Sequence, residues 1–271
     1  MKIFDLSLDA NIKQIKSEFC IVGSGPGGGI LAVELLKQGF NVTLLEQGGD
    51  YRNSDFSETV DKFNIKGDMD VNFGHSRQVG GSSNLWAGRV SRLEERDFNS
   101  YSNEGWPIDY SELEYFYEKA LKILNLSNNH YSNNLDVFGF NNNNLDLKEF
   151  KWSSPPFNVK NYIFNNKSLF KGELTIYTHA RVTTLNENDL LSQINSLNIL
   201  SPMGKKIKVF SSTFILAAGG LETPRILLNS KTKNKKGIGN VNDNVGRYFS
   251  THPKADIGFL RTKKWLSTKN S

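Results

Sequence analysis

One cysteine in 271 residues leaves no means of building a disulfide framework or a thiolate metal site. That residue, Cys20, lies inside the apolar run Phe19–Val22 and is expected to be a buried strand residue. Histidine is scarce too, and no pair among His75, His130, His179 and His252 has metal-ligand spacing, so no metal site is expected. No apolar run approaches the roughly 20 residues of a membrane-spanning helix. Met1–Glu18 is mixed polar and lacks the apolar core of a secretory leader, so no membrane insertion and a cytoplasmic location are the simplest expectation. The charge excess is only +5. The short cluster Lys231, Lys233, Lys235 and Lys236 reads as a solvated loop, and no nucleic-acid module accompanies it, so nucleic-acid binding is not expected. There is no internal repeat.

What is present fits an ordinary globular protein, with 38% hydrophobic and 23% charged residues and a length at which one domain begins to divide. Phe19–Val22 opens directly into Gly23-Ser24-Gly25-Pro26-Gly27-Gly28-Gly29. A helical pattern follows through Ile30, Leu31, Val33, Leu35 and Leu36, with Gly39 as its C-cap. Val42–Leu45 is a second strand, closed by Glu46, and the unit reads as the start of a parallel sheet. Residues 48–80 have no strong periodicity and read as an excursion from that sheet. Residues 109–126 read as a helix, with Asp109 as N-cap, Glu112 completing a capping box, and Leu113, Phe116, Tyr117, Ala120, Leu121 and Leu124 as a core face. The tract Asn141–Asn144 marks residues 125–150 as loop-like. Short strands are expected at Leu174–Tyr177, Val182–Leu185, Leu197–Leu200 and Ile207–Phe210. Thr213–Leu216 is a buried strand running into Ala217-Ala218-Gly219-Gly220, and a helix follows from Glu222 with Pro224 in its first turn.

Gly23-x-Gly25-x-x-Gly28 has the spacing of a dinucleotide-binding turn. The first glycine permits the tight turn, the second lets backbone approach a pyrophosphate, and the third lets helix and strand pack closely. Amides at the helix N-terminus then face the phosphates. Glu46, about 20 residues on, can accept hydrogen bonds from both hydroxyls of an adenosine ribose and would repel a 2′-phosphate. The turn alone does not separate FAD from NAD. A purely structural glycine turn leaves Glu46 unexplained.

Several blocks resemble the glucose–methanol–choline (GMC) oxidoreductase family. They are Leu44–Gly49, Gly80-Gly81-Ser82-Ser83-Asn84-Leu85-Trp86-Ala87-Gly88-Arg89, Gly105-Trp106-Pro107-Ile108, Ala217–Ser230 and Asn244–Pro253. They follow family order, cover most of residues 18–255, and look closest to the bacterial sugar and polyol dehydrogenase branch. The resemblance implies an α/β fold: a Rossmann-like FAD-binding domain with an incomplete substrate-side α+β domain. It implies FAD held by Gly23, Gly25, Pro26, Gly27, Gly28 and Glu46. Gly80, Gly81, Ser82, Ser83 and Asn84 would lie at the flavin end, Val182 on the strand that meets adenine, and Ala217, Ala218 and Gly219 beside the cofactor. Leu85 stands where some relatives carry a histidine that bonds FAD, so non-covalent FAD is expected.

The implied reaction removes a hydride from an alcohol, polyol or sugar carbon to the flavin, with a base taking the hydroxyl proton. Relatives place that histidine, and a second histidine or asparagine, in a C-terminal segment, and none of the four histidines here matches the pair. The catalytic residues are therefore expected beyond residue 271. His75, His130 and His179 are expected to be surface or satisfied histidines, and His252 structural, near the passage to the substrate domain. The carboxylate pairs Glu94-Glu95 and Glu112-Glu114 sit on loop or solvated helix, and Gly23-Ser24-Gly25 is not a nucleophile elbow, so a hydrolase is excluded. The expected layout is an FAD domain from 12–100 and 172–250, an insertion at 101–171, and the start of a substrate-binding domain at 251–271. The partners expected are a small alcohol or sugar, with a separate C-terminal half or an electron acceptor. A non-catalytic flavin-binding remnant, one half of a split enzyme, and an NAD-dependent dehydrogenase are the competing readings.

Overall fold

The computed structural model describes residues 1–8, 11–51, 75–98, 106–127, 150–188, 190, 193–230 and 235–250. Their strands are β1 (Lys2–Asp5), β2 (Gln14–Val22), β3 (Val42–Leu45), β4 (Arg89–Val90), β5 (Lys151–Trp152), β6 (Leu174–Thr178), β7 (Arg181–Glu187), β8 (Ile194–Leu200) and β9 (Lys206–Leu216). Their helices are α1 (Pro26–Gln38), α2 (Glu95–Phe98), α3 (Glu114–Ile123), α4 (Val159–Asn165) and α5 (Gly219–Asn229), with a 3₁₀ turn at Gly81–Asn84. Seven strands make one sheet in the order β1-β6-β3-β2-β9-β8-β7, and β4 pairs separately with β5. β1, β6, β3, β2 and β9 run parallel; β8 and β7 complete the sheet antiparallel. This is the α/β, largely parallel architecture expected from the strand–turn–helix–strand opening.

β2 shows how sequence becomes burial. Its first half pairs only with β9, whereas Phe19–Val22 is flanked by β3 and β9 at once. Ile15 is buried between exposed Gln14 and Lys16, but Cys20, Ile21 and Val22 are buried in succession. A strand covered on both faces needs such a continuous apolar run. Ile21 packs into a core with Val33 and Leu36 of α1, Leu44 and Ile176. Cys20 and Val22 face the other way, into a core with Leu45, Val182, Ile199 and Ile226. Each fully buried leucine or isoleucine contributes about 1.5–3 kcal/mol. Burial also pushes the Cys20 thiol up to about 12, so it is an inert core residue as expected. α1 ends on Gly39 in the left-handed region, with φ +100°.

Several expectations need correction. The segments expected as two strands at 207–210 and 213–216 form one strand, β9. Its first half bonds β8, and the polar interruption at Ser211 is absorbed because its hydroxyl donates to the Glu18 carbonyl at 2.9 Å. α5 starts at Gly219, three residues earlier than expected, which places Pro224 inside the helix. The capping box forms, the Asp109 N–H reaching Glu112 at 2.8 Å, but a 3₁₀ turn at Tyr110–Leu113 precedes α3. The supposed core face of α3 buries Leu121 alone, and Phe116 is 57% exposed. β1, at the sheet edge, lies outside the 12–100 segment and had no sequence signal. His130, His252, Gly105, Lys231, Lys233 and the tract Asn141–Asn144 lie outside the described residues. Among the described residues no helix is long and apolar enough to cross a membrane, and no cluster of His, Cys, Asp or Glu is placed to hold a metal.

Candidate dinucleotide-binding site

Val22, Leu45 and Leu216, the last residues of β2, β3 and β9, open together into a cavity of about 650 Å³. β2 lies between β3 and β9, so the chain order reverses across it, and the crevice beyond the carboxyl ends at such a reversal is where open α/β sheets place ligands. Gly23, Gly25, Pro26 and Gly27 line this cavity. Gly23 has φ +102°, and a side chain there would place Cβ 2.4 Å from the Ala217 carbonyl oxygen. At Gly28 a Cβ would sit 2.1 Å from the Gly23 carbonyl oxygen. These two glycines let the turn approach β9 and let α1 seat on the turn. A Cβ on Gly25 or Gly27 would meet nothing within 4 Å. That open side, beside the unpaired amides of a helix N-terminus, is suited to a phosphate.

Glu46 follows β3 at the cavity's edge and is only 6% exposed. Its Oε1 accepts the Gly48 N–H at 2.9 Å, and its Oε2 accepts both the Ser24 N–H at 3.2 Å and the Ser24 hydroxyl. Burial nonetheless pushes its carboxyl above the ordinary glutamate range, against these hydrogen bonds. The fully buried Ser24 hydroxyl also accepts the Gly80 N–H at 3.0 Å, so one side chain ties both glycine turns to Glu46. Ser24→Ala leaves the Gly80 amide and Oε2 each short of a partner. It is expected to lose about 1–3 kcal/mol of stability in urea unfolding; an unchanged midpoint would contradict this link.

The second glycine turn divides in two. Gly81 and Ser82 line the cavity; Gly80, Ser83 and Asn84 do not. The Asn84 amide donates to the Val79 and Gly81 carbonyls at 3.1 and 2.9 Å, and the buried Ser83 hydroxyl lies 2.6 Å from the Gly80 carbonyl and 2.7 Å from that of Phe157. These two side chains, expected to offer donors to a ligand, instead shape the loop itself. Asn158 supports the loop from outside by donating to the Val79 carbonyl at 2.8 Å while capping α4.

The remaining wall runs from Ala217, Ala218 and Gly219 into the first turns of α5, with Ala180 and Val182 beside it. Arg225 on α5 donates to Glu222 at 2.6 Å and to the Val182 carbonyl at 2.9 Å. His75 and Arg77 also line the cavity, a placement of His75 that the sequence did not signal. Burial, and then the charge of Arg77, holds the His75 imidazole below its ordinary pKa, while Glu222 opposes them. His179 is satisfied as expected: it is buried, with Nδ1 2.7 Å from Asp5. Of the expected binding residues, Gly23, Gly25, Pro26, Gly27, Glu46, Gly81, Ser82, Val182, Ala217, Ala218 and Gly219 meet at one cavity, and Gly28 lies beneath it. Sequence reasoning missed Ser24, His75, Arg77, Glu222 and Arg225. Ser24 and Arg225 stood inside blocks already singled out, whereas His75 and Arg77 lie where no periodicity marks them.

No family model matches the chain. It is 35% identical to the fructose dehydrogenase large subunit of Gluconobacter japonicus over 74 residues, which cover 27% of this chain and 14% of that one. It is 22% identical to the 2-methyl-1,2-propanediol dehydrogenase of Mycolicibacterium austroafricanum, over 88% of this chain and 55% of the relative. Pyridoxine 4-oxidase from Mesorbium loti shares the fold with a TM-score of 0.51 at 18% identity, covering 79% of this chain and 52% of its own. Formate oxidase of Aspergillus oryzae RIB40 does so with a TM-score of 0.52 at 15% identity, covering 82% and 48%. The chain thus spans at most about half the length of the relatives it matches.

Proposed function

We propose that this chain, which resembles the GMC oxidoreductases, binds FAD without a covalent bond and is the N-terminal, cofactor-binding part of an enzyme that oxidises a CH–OH group. The observation that carries the reading is the meeting, in one cavity, of the open side of the first glycine turn, the buried Glu46 carboxylate and the small-residue stretch Ala217–Gly219. These residues fit a dinucleotide. The turn leaves room at Gly25 and Gly27 for a diphosphate. Glu46 stands at the cavity's edge, where its carboxyl would meet a ribose hydroxyl. Val182 and Ala180 border the adenine side, and Gly81 with Ser82 lie toward the flavin end. Bound FAD would supply the hydride acceptor.

The FAD-binding unit is read as 12–100 with 172–250, and residues 101–171 and 251–271 as substrate-side. The base that takes the substrate proton is assigned to a C-terminal segment that the longer relatives contain. His75 lines the cavity beside Arg77, where burial holds its pKa low, while His179 is bonded to Asp5 and does not line the cavity. The substrate is an alcohol, polyol or sugar, in keeping with the names of the relatives. Partners are a C-terminal half or an electron acceptor, and one of those relatives is itself called a large subunit. The alternative is a flavin-binding remnant, or one half of a split enzyme.

Two experiments bear on this. Reading the coding DNA past codon 271 is expected to show, in frame or in a neighbouring gene, a segment with a histidine followed by histidine or asparagine. Co-expressing it should give a flavin that alcohols or sugars bleach without oxygen. Unrelated sequence on both counts would overturn the catalytic part and leave the remnant. Leu85 carries no nucleophile, so acid precipitation should release all the flavin into the supernatant; a yellow pellet would contradict non-covalent attachment.

A further inference from the structure

The stretch Phe157–Lys160, where the chain enters α4, touches three segments that shape the cavity, yet none of its residues lines it. Phe157 and Val159 pack on the first turn of α1, where a Cβ on Gly29 would meet Val159 at 3.0 Å and Phe157 at 3.1 Å. The Asn158 amide donates to the Val79 carbonyl at 2.8 Å, and the Ser83 hydroxyl lies 2.7 Å from the Phe157 carbonyl, so the second glycine turn is held from behind. Lys160 Nζ lies 2.6 Å from both carboxylate oxygens of Asp50, in the loop that follows Glu46, and its side chain is only 16% exposed. That loop is itself joined to the second turn, the Val79 N–H donating to the Gly49 carbonyl at 3.0 Å. Val79 and Val159 are buried in the same core as Ile21. The turn so held abuts the first one: a Cβ on Gly81 would stand 2.9 Å from the Gly25 Cα, and both glycines line the cavity.

We propose that Asn158 and Lys160 are positioning residues for the cofactor. They brace the second glycine turn and the loop after Glu46 against α1, and so set the approach of Gly81 to Gly25 beside which a diphosphate must fit. The inference rests on the FAD reading above. It goes beyond that reading by placing determinants of cofactor affinity outside the cavity, in a segment otherwise read as substrate-side. Hydrogen bonds weaken steeply away from their best distance and angle, so a turn that shifts slightly loses its ligand without unfolding.

Asn158→Ser separates the two jobs of this side chain. Serine caps a helix about as well as asparagine, so α4 keeps its first turn, but its shorter side chain brings no amide to Val79. Lys160→Met keeps the aliphatic stem and removes the charge beside Asp50. Each ligand-free variant is expected to melt within about 4 °C of wild type. Each should bind FAD and ADP roughly three- to tenfold more weakly, and by the same factor, because both ligands carry the diphosphate. Hydrogen exchange of the ligand-free variants should quicken at Gly80–Leu85 and stay unchanged in β2 and β9. Calorimetry and exchange are both measured on the full chain. Wild-type FAD affinity in the variants would overturn the proposal, and so would weaker FAD binding with unchanged ADP binding. Faster exchange spread through β2 and β9 would also overturn it, since that marks a general loss of stability. If Asn158→Ser does not fold, Lys160→Met decides the matter by the same measurements. Each of these results leaves the FAD reading standing, whereas a wild-type chain that binds no FAD overturns both.

Discussion

Gly28→Ala is expected to leave little folded protein, whereas Gly25→Ala should fold normally and lose the cofactor. Both are single methyl additions to one turn, and the surroundings set the difference. At position 28 the new Cβ would sit 2.1 Å from the Gly23 carbonyl oxygen, 3.1 Å from Ile21 and 3.2 Å from Ala217. A backbone carbonyl cannot rotate away, so α1 must lift off β2 and open the core that Ile21 shares with Val33 and Leu36. A clash of that kind costs on the order of 4 kcal/mol or more, a large share of the ~5–15 kcal/mol that holds a domain together. The melting temperature should drop by about 10 °C or the protein should be insoluble. At position 25 the Cβ meets nothing within 4 Å, and Gly25 lines the cavity. Melting of the ligand-free Gly25→Ala protein should stay within a few degrees of wild type, while FAD affinity falls by about a hundredfold because the methyl stands where the diphosphate must approach. Thermal denaturation and a flavin fluorescence titration measure the two effects. Equal stability of the two variants would refute the packing account of Gly28, and undiminished FAD binding by Gly25→Ala would place the diphosphate elsewhere.

Glu46→Gln should weaken FAD binding by roughly ten- to a hundredfold, the worth of charge-assisted hydrogen bonds of about 1.5–3 kcal/mol. It should also remove one component of the pH dependence of folding. Burial holds the folded Glu46 carboxyl above its ordinary pKa, so the folded state keeps this proton to a higher pH than the unfolded chain does. The associated stability is complete below the unfolded value and is lost as pH rises through the folded one. The ligand-free wild-type protein should therefore lose stability over the window from the ordinary glutamate pKa upward, and Glu46→Gln should lack that loss. A series of urea midpoints from pH 4 to pH 8, on the order of this window, measures it. Parallel curves for the two proteins would contradict a buried carboxylate with a raised pKa.

The parts of this fold that were legible in the sequence are those where local chemistry has one structural solution. A glycine spacing between an apolar run and a helical period places a turn at the end of a strand, and the acidic residue ending the next strand lands beside it because parallel neighbours end at the same level. Gly23, Gly25, Glu46 and Ala217 meet for that reason. Contacts made across long stretches of chain were not legible. β1 pairs with a strand some 170 residues later and carries only four residues of pattern. Asn158 reaches Val79 across 79 positions, and Ser24 reaches Gly80 across 56. Periodicity misled at α3, where an amphipathic stripe reads the same whether it meets a core or, as at Phe116, stands 57% exposed. Residue type alone did not reveal the local bonds of Ser83 and Asn84, because short polar side chains in a glycine loop suit a ligand and their own backbone equally well.

The central claim is that this cavity holds FAD, and the most direct measurement is the cofactor content of the purified chain. The absorption spectrum should show a flavin band, heat or acid should release one equivalent of FAD, and Gly25→Ala purified alongside should be nearly colourless. A colourless wild-type protein that takes up no added FAD but binds NAD would contradict the account and restore the nicotinamide reading of the first glycine turn.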